Sequence, residues 1–226
     1  MKWRPADAGE DRVMDLQVTE IFSSIQGESR HVGRPCTFVR LTGCNLRCSW
    51  CDTQYALEGG ETMSVTTIVE RVRDAGCDLV EITGGEPMLQ EGVHALMDAL
   101  VDDDFTVLLE TNGSLDLSRV PDEVVKIMDV KCPSSGMSEK NLLSNVNILG
   151  SRDEVKFVIA DRSDYEWARD LVRSDKRFEH VRAVHFTPLF GQLDAAQLAG
   201  WILEDRLPVR LGFQLHKTIW GADTRK

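Results

Sequence analysis

The sequence predicts an α/β protein built on a partial, open parallel β/α barrel of about six β/α units. Two observations predict this fold. Short apolar runs typical of buried strands alternate with segments in which apolar residues recur every three or four positions, as on one face of a helix. Polar residues and cysteines follow directly after several of these apolar runs. Strands that alternate with helices form parallel sheets with right-handed crossovers, and six units are fewer than the eight that close a barrel.

The first half of the chain is predicted to contain alternating strands and helices. Ser64 can cap the first helix, because its hydroxyl accepts an unpaired N-terminal N–H, and Gly76 can end it in the left-handed conformation of a C-cap. The strands are expected at 37–42, 79–83, 106–110 and 124–130, and the helices at 64–75 and 93–101.

The second half continues the same alternation. Gly150 is expected to end its first helix, Ser163 and Glu166 have the spacing of a capping box for the next, and Asp194 can cap the last. In chain order we expect a helix at 142–149, a strand at 154–159, a helix, a strand at 183–186, a helix, and a final extended segment at 209–214 outside the main sheet.

The composition indicates one cytoplasmic domain that acts on a small molecule. Residues 1–13 are expected to be a flexible N-terminal extension, and residues 14–226 a single domain. The formal net charge of −11 disfavours nucleic-acid binding, which requires Lys and Arg to neutralise phosphates. The sequence has neither the long apolar run of a membrane span nor the apolar core of a signal peptide, so no membrane association is expected.

Three cysteines carry the strongest chemical signal. Cys44, Cys48 and Cys51 have the spacing Cys-x3-Cys-x2-Cys, and no fourth cysteine lies nearby. An ordinary iron–sulfur cluster takes four thiolates, and a structural zinc site takes four ligands. Three thiolates on one loop fit a 4Fe-4S cluster with one iron open to S-adenosylmethionine, which starts radical chemistry. Trp50, which lies between the last two cysteines, would give the cluster an apolar shield. The alternative is a zinc-binding interaction module, for which no fourth ligand has a recognisable spacing.

Polar residues also gather where the predicted strands end. Glu110 ends one predicted strand, Lys131 follows another, and Gly84 and Gly85 follow a third. In parallel β/α folds the working groups collect at the C-terminal strand ends, so these loops should meet the cysteine loop. Paired glycines let the backbone approach a ligand closely, because no Cβ intervenes, although the pair alone is equally typical of a plain turn.

The cysteine loop and the glycine pair together resemble the radical S-adenosylmethionine superfamily. Four further runs make nearly the whole chain similar to the family of 7-carboxy-7-deazaguanine synthases. These runs are Ile25-Gln26-Gly27-Glu28, Phe38-Val39-Arg40, Cys51-Asp52-Thr53 and Gln214-Leu215-His216-Lys217.

The resemblance implies a carbon–nitrogen lyase of the queuosine and 7-deazapurine pathway, which serves tRNA modification. Its reaction converts 6-carboxy-5,6,7,8-tetrahydropterin to 7-carboxy-7-deazaguanine by hydrogen abstraction at C6, ring contraction and loss of ammonia. The implied cofactors are a 4Fe-4S cluster, S-adenosylmethionine and Mg²⁺. The implied partners are an electron donor of flavodoxin or ferredoxin type and a second copy of the chain in a homodimer. An alternative in the same superfamily is an activating enzyme that installs a glycyl radical on a protein partner.

The resemblance also implies residue roles, and none of them is a catalytic side chain beyond the cluster and the cofactor radical. The implied metal ligands are Cys44, Cys48 and Cys51 for the cluster and Thr53 for Mg²⁺. The implied substrate contacts are Ile25, Gln26, Gly27, Arg40 and Thr83. The implied cofactor contacts are Trp50, Cys51, Asp52, Gly84, Gly85, Glu86, Asp129 and Lys131. Asp129 and Val130 stand where the family often has Ser and Pro, so only the lysine is retained there.

Overall fold

The structure, a computed structural model, describes residues 15–221, so the predicted extension at 1–13 lies outside the described residues. Its strands are β1 (Asp15–Ile25), β2 (Pro35–Leu41), β3 (Glu61–Ser64), β4 (Leu79–Gly84), β5 (Thr106–Thr111), β6 (Val125–Asp129), β7 (Glu154–Ile159), β8 (Ala183–Pro188) and β9 (Arg210–Leu211). Its α-helices are α1 (Val65–Ala75), α2 (Val93–Asp102), α3 (Arg162–Ser174), α4 (Ala195–Glu204) and α5 (Leu215–Trp220).

One open sheet contains all nine described strands, in the order β3-β1-β2-β4-β5-β6-β7-β8-β9. From β2 through β4 to β9, each strand runs parallel to the next. This arrangement confirms the predicted partial, open parallel barrel, and β2 with β4 to β8 are the six strands expected from the sequence. The expectation that 209–214 lies outside the sheet was wrong, because Arg210 and Leu211 pair with β8 as β9.

An antiparallel edge was not predicted. β1 pairs antiparallel with β2 and with β3, and its register shifts between Val18 and Glu20. The chain that leaves β1 then crosses the barrel from β4 to β7. There Gln26 reaches Glu81 on β4, and the backbone N–H of Arg30 donates to Glu154 on β7. This crossing brings the predicted substrate segment into the barrel interior.

The helix boundaries agree with three of the predicted caps and correct a fourth. Ser64 Oγ accepts from the backbone N of Thr67 at 3.1 Å, and Gly76 ends α1 with a φ of 73°. Asp194 caps α4. The capping box at residues 163 and 166 was wrong. Asp161 caps α3 instead, because its carboxylate accepts the backbone N–H of Asp164 at 2.9 Å.

The predicted helix at 142–149 is not an α-helix. This stretch holds a short 3₁₀ turn, Leu143–Asn147. The amide of Asn145 is buried and donates to the backbone oxygens of Gly113 and Leu115, at 3.1 and 2.7 Å. These bonds tie the turn to the loop after β5. Asparagine side chains that bond to the backbone compete with helix formation, and this explains why no α-helix forms here.

The barrel interior changes character along the strands. At the N-terminal ends it is filled by an apolar group: Cys36, Phe38, Leu79, Leu108, Val125 and Ile127. One step further along the same inward faces stand Glu81, Glu110, Asp129 and Lys156, because side chains alternate with a period of two along a strand. The polar half opens toward the C-terminal strand ends, where the chemistry of parallel β/α folds collects.

Candidate active site

A cavity of about 580 Å³ occupies the polar half of the barrel and its mouth. It is lined by the cysteine loop, the crossing after β1, the ends of β4 to β7 and the segment that contains α5. Of the predicted site residues, those that line it are Ile25, Gln26, Gly27, Arg40, Cys44, Cys48, Trp50, Cys51, Asp52, Thr53, Thr83, Gly84, Gly85, Asp129 and Lys131.

The cysteine loop is held by backbone hydrogen bonds on both sides. Gly43 N donates to Ala56 O at 2.8 Å, and Ser49 N donates to Ser135 O at 3.0 Å. The three cysteines of the loop are free thiols that face the cavity. Burial raises the pKa of the Cys48 thiol, while the charge of Lys131 lowers it. Within residues 15–221, no three His, Cys, Asp or Glu side chains are grouped closely enough to share a single metal ion.

The glycine pair after β4 lies against the cysteine loop. A Cβ on Gly85 would collide with the backbone oxygen of Gly43 and with Cys44, and a Cβ on Gly84 would collide with the backbone oxygen of Leu41. The absence of side chains at these two positions therefore allows two backbones to meet. Close approach of a ligand is one reason for glycine at these positions, and the contact between the two backbones is a second.

Glu86 is not among the residues that line the cavity, and its expected contact with the cofactor stays a prediction. Its side chain is completely buried and accepts hydrogen bonds from Met88 N at 3.0 Å, Thr111 Oγ1 at 2.8 Å and Asn112 N at 2.7 Å. Burial raises the pKa of Glu86, and the hydrogen bonds from Asn112, Met88 and Thr111 lower it. The Glu86 side chain therefore fixes the end of β5 against the glycine loop.

Lys156 links three carboxylates inside the cavity. Its Nζ lies 2.5 Å from Glu110 Oε1, 2.9 Å from Glu28 Oε2 and 3.7 Å from Asp129 Oδ2. Lys131 Nζ lies 2.9 Å from the same Asp129 oxygen, so Asp129 bridges the two lysines. The second oxygen, Asp129 Oδ1, is buried without a hydrogen-bond partner among the described residues. One buried acceptor in the cavity is thus open to a donor.

Burial changes the protonation of the carboxylates in this network. Burial raises the pKa of Glu110 to about 8, although the charge of Lys156 lowers it, and raises the pKa of Glu81 to about 7, although the hydrogen bond from Gln26 lowers it. Burial also opposes the charge on Glu28, but Lys156 and Gln214 outweigh it and lower the pKa of Glu28. At neutral pH Glu28 is therefore ionised, whereas Glu110 and Glu81 take up protons at a higher pH than glutamates exposed to water.

Arg40 presents half of its guanidinium to the cavity. Its Nε donates to Glu20 Oε1 at 2.7 Å, and the same oxygen accepts from Tyr55 Oη at 2.8 Å. The guanidinium carbon lies 5.9 Å from the ring centroids of Phe22 and Tyr55. The two terminal nitrogens make no hydrogen bond to any residue within 15–221. They form a fork that can receive a carboxylate in two parallel hydrogen bonds.

The C-terminal segment covers one side of the cavity. Leu215 N donates to Gly27 O at 2.9 Å, and Gln214 Nε2 donates to Glu28 Oε1 at 2.9 Å. Lys217 Nζ lies 2.7 Å from Asp52 Oδ2, beside the cysteine loop. A Cβ on Gly27 would collide with His216, so glycine is needed where this segment rests. The segment joins the crossing after β1 to the cysteine loop.

Comparison with known proteins identifies the family. A sequence profile of the Radical SAM superfamily matches residues 38–174. The 7-carboxy-7-deazaguanine synthase of Koribacter versatilis is 47% identical over 224 residues, which cover 93% of this chain and 99% of that protein. The synthase of Chlorobaculum tepidum is 46% identical over 213 residues, covering 93% and 96%. The chain belongs to the 7-carboxy-7-deazaguanine synthase family.

Solved structures agree with this family fold. The crystal structure of QueE from Escherichia coli matches with a TM-score of 0.75 at 22% identity, covering 90% of this chain and 95% of that one. Streptococcus suis SuiB bound to S-adenosylmethionine matches with a TM-score of 0.56 at 15% identity, covering 76% and 48%. At these identities the likeness concerns the fold.

None of the helices within residues 15–221 is long and apolar enough to span a membrane.

Membership of the radical SAM superfamily implies a 4Fe-4S cluster and S-adenosylmethionine, and the residues present fit both. Three free thiols on one loop face the cavity, as a cluster with an open iron requires. Beside them lie a glycine loop with exposed backbone and the unpartnered Asp129 Oδ1, an acceptor suited to a cofactor hydroxyl or amine.

Sequence reasoning missed several cavity residues of this synthase family member. These are Glu28, Glu81, Lys156, Gln214, His216 and Lys217, some of which belong to the quoted motifs without a role of their own, whereas Glu110 and Asn112 lie at the strand end that was predicted to meet the cysteine loop. A signal was present for those on strands. Glu81 lies two positions before Thr83, and therefore on the same inward face, within an otherwise apolar run. A carboxylate in such a run is a candidate for a barrel interior.

Proposed function

We propose that this chain converts 6-carboxy-5,6,7,8-tetrahydropterin to 7-carboxy-7-deazaguanine with loss of ammonia, as a carbon–nitrogen lyase of queuosine biosynthesis. One observation carries the proposal: three free thiols and an arginine with two unshared nitrogens open into one cavity. Similarity to synthases over 93% of the chain supports it.

The proposed cofactor seat joins three segments. Cys44, Cys48 and Cys51 would hold the 4Fe-4S cluster, and bound there with S-adenosylmethionine it supplies the one-electron chemistry that removes a hydrogen atom from the substrate. The backbone of Gly84 and Gly85 would meet the methionyl end. The remaining proposed cofactor contacts are Trp50, Asp52, Asp129 through its free Oδ1, and Lys131; Glu86 would act through its backbone and by holding β5.

Arg40 and Thr53 are the proposed partners of the substrate carboxylate. The free fork of Arg40 can bind it in two hydrogen bonds. Mg²⁺ prefers oxygen ligands and usually keeps several waters, so one protein hydroxyl and the substrate carboxylate suffice to hold it. Thr53 Oγ1 donates to Asp52 Oδ1 at 3.0 Å, which fixes its oxygen beside the cysteine loop. Ile25, Gln26, Gly27 and Thr83 would surround the pterin rings.

Loss of ammonia requires a proton at the departing nitrogen, and the cavity contains groups that can hold one. Burial raises the pKa of Glu110 to about 8 and of Glu81 to about 7. A general acid works best when its pKa lies near the working pH. Lys156, kept charged by its carboxylate neighbours, orients Glu110 and Glu28 within this network.

The cell biology and partners of the enzyme follow from the same proposal. Six free cysteines suit the cytoplasm, where thiols are kept reduced. A flavodoxin- or ferredoxin-type donor would supply the electron, and a homodimer is expected from the family resemblance. Light scattering of the purified protein measures the oligomeric state, and a monomer at micromolar concentration would contradict the dimer.

Anaerobic turnover tests the proposed function. Reconstituted protein supplied with the carboxytetrahydropterin, S-adenosylmethionine, Mg²⁺ and a reductant should release the deazaguanine acid and ammonia in equal amounts. The matched control is Cys48→Ala, which should fold but hold no intact cluster and give no product. Absence of product from wild-type protein with an intact cluster would reject the proposal. A stable glycyl radical on a large protein partner would support the alternative of an activating enzyme. Colourless protein with one tightly bound zinc would support the alternative of a zinc-binding interaction module.

A further inference from the structure

The sulfur of Cys44 accepts contacts from two N–H groups, whereas the sulfurs of Cys48 and Cys51 accept none from the described residues. Leu46 N lies 3.4 Å from Cys44 Sγ, and Asn112 Nδ2 lies 3.8 Å from it. Within residues 15–221 no donor contacts the sulfur of Cys48 or Cys51. Asn112 is only 7% exposed and belongs to neither the cysteine loop nor the glycine pair. The residues around Asn112 therefore have to account for its contact with the Cys44 sulfur.

The hydrogen-bond network fixes which end of the Asn112 amide faces the sulfur. Asn112 Oδ1 accepts from Ser114 N at 3.0 Å and from Ser114 Oγ at 2.6 Å. The Nδ2 group must then point the other way, where one N–H donates to Asn45 Oδ1 at 3.1 Å and the other faces Cys44 Sγ. A flipped amide would place two oxygen acceptors against each other and lose both bonds from Ser114.

The backbone of Asn112 is fixed as firmly as its side chain. Asn112 N donates to the buried carboxylate of Glu86 at 2.7 Å, and Thr111 Oγ1 donates to the same carboxylate at 2.8 Å. Glu86 thus holds the end of β5 so that the Asn112 amide reaches Cys44. A donor fixed on both sides loses little freedom when it binds a thiolate, which preserves the strength of the bond.

From these contacts we propose that Asn112 is a positioning residue that tunes the cluster: its amide N–H donates to the Cys44 thiolate and stabilises the reduced cluster. The proposal rests on the proposed cluster at Cys44, Cys48 and Cys51. A reduced cluster carries one more negative charge than the oxidised form, and hydrogen bonds to the sulfurs favour the more negative form, so they raise the reduction potential. Asn112 would make one-electron reduction easier at the Cys44 side of the cluster.

A redox titration of the reconstituted cluster, without substrate, tests the proposal. In Asn112→Leu, which keeps the branched shape and the number of side-chain heavy atoms but removes the donor, the midpoint potential should move to a more negative value. At the midpoint of the wild type, the ratio of reduced to oxidised cluster should fall about threefold, as expected for loss of one weak hydrogen bond. The matched control is Asn147→Leu, the same substitution at an exposed asparagine whose side chain contacts Arg177 and not the cysteine loop; its midpoint should equal that of the wild type.

A measurement on the wild type keeps the proposal testable if the variants hold no cluster. Protein labelled with ¹⁵N at asparagine side chains should show, by pulsed EPR of the reduced cluster, a nitrogen hyperfine coupling transmitted through the hydrogen bond. Equal midpoints in Asn112→Leu and wild type, or no such coupling, would overturn the role of Asn112. Wild-type protein that forms no 4Fe-4S cluster would instead refute the proposed function, so the two failures are distinguishable.

Discussion

The two halves of the barrel interior share the same strands but differ in chemistry. Leu79 and Glu81 lie two positions apart on β4, and Leu108 and Glu110 lie two positions apart on β5. In each pair the first residue belongs to the apolar group at the N-terminal end and the second lines the cavity. The difference indicates a division of labour along each strand, with packing at one end and binding at the other.

The largest expected effect is on stability, at the apolar end. Leu108→Ala should lower the free energy of unfolding by about 3 kcal/mol, because Leu108 is completely buried and its neighbours cannot fill the space. Denaturant unfolding under anaerobic conditions measures it. Well below the unfolding transition, kcat/KM should remain within about twofold of wild type if packing and binding are separate.

A leucine in a different environment provides the control for this prediction. Leu203 is 76% exposed, so Leu203→Ala should change the free energy of unfolding by less than about 0.5 kcal/mol. A large fall in kcat/KM for Leu108→Ala, with stability nearly unchanged, would erase the proposed division between the two halves.

The next effect is on binding, at the polar end. Arg40→Lys keeps a charge that can pair with Glu20 but removes the two-nitrogen fork. We expect kcat/KM to fall about 30-fold, mainly through a higher KM, because hydrogen bonds to charged groups contribute about 2 kcal/mol. Steady-state kinetics measure this. Arg73→Lys, at an exposed pair with Asp103, is the control and should leave the kinetics unchanged; an unaltered KM in Arg40→Lys would remove Arg40 from the substrate site.

The smallest effect tests whether the polar end costs stability. Burial raises the pKa of Glu81 from 4.5 to about 7. The protein therefore loses stability as the pH rises from about 4.5 through 7, because over this range the carboxyl ionises more readily in the unfolded chain than in the folded protein. Glu81→Gln cannot ionise and can still accept from Gln26. It should be more stable than wild type by about 1 kcal/mol at pH 8 and equally stable at pH 4.5. Equal stability at both pH values would show that ionising Glu81 is not costly.

Local patterns predicted the parallel strands, the caps at Ser64 and Asp194, and the cysteine loop, because each depends on neighbours in sequence. The antiparallel strand β1 was not predicted, because its pairing with β2 and β3 depends on residues that lie elsewhere in the sequence. The stretch 142–149 has helical periodicity, but Asn145 bonds to a distant loop and the helix does not form. The site residues that were missed, such as Glu81 and Gln214, reach the cavity only when distant strands and the C-terminal segment come together.

Contacts between distant parts of the chain set the order in which the cavity can be completed. Gln214 bonds to Glu28 across 186 positions, and Lys217 bonds to Asp52 across 165. During translation the cysteine loop therefore leaves the ribosome long before the segment that covers its cavity. Until residue 217 emerges, the contacts that cover this side of the cavity cannot form.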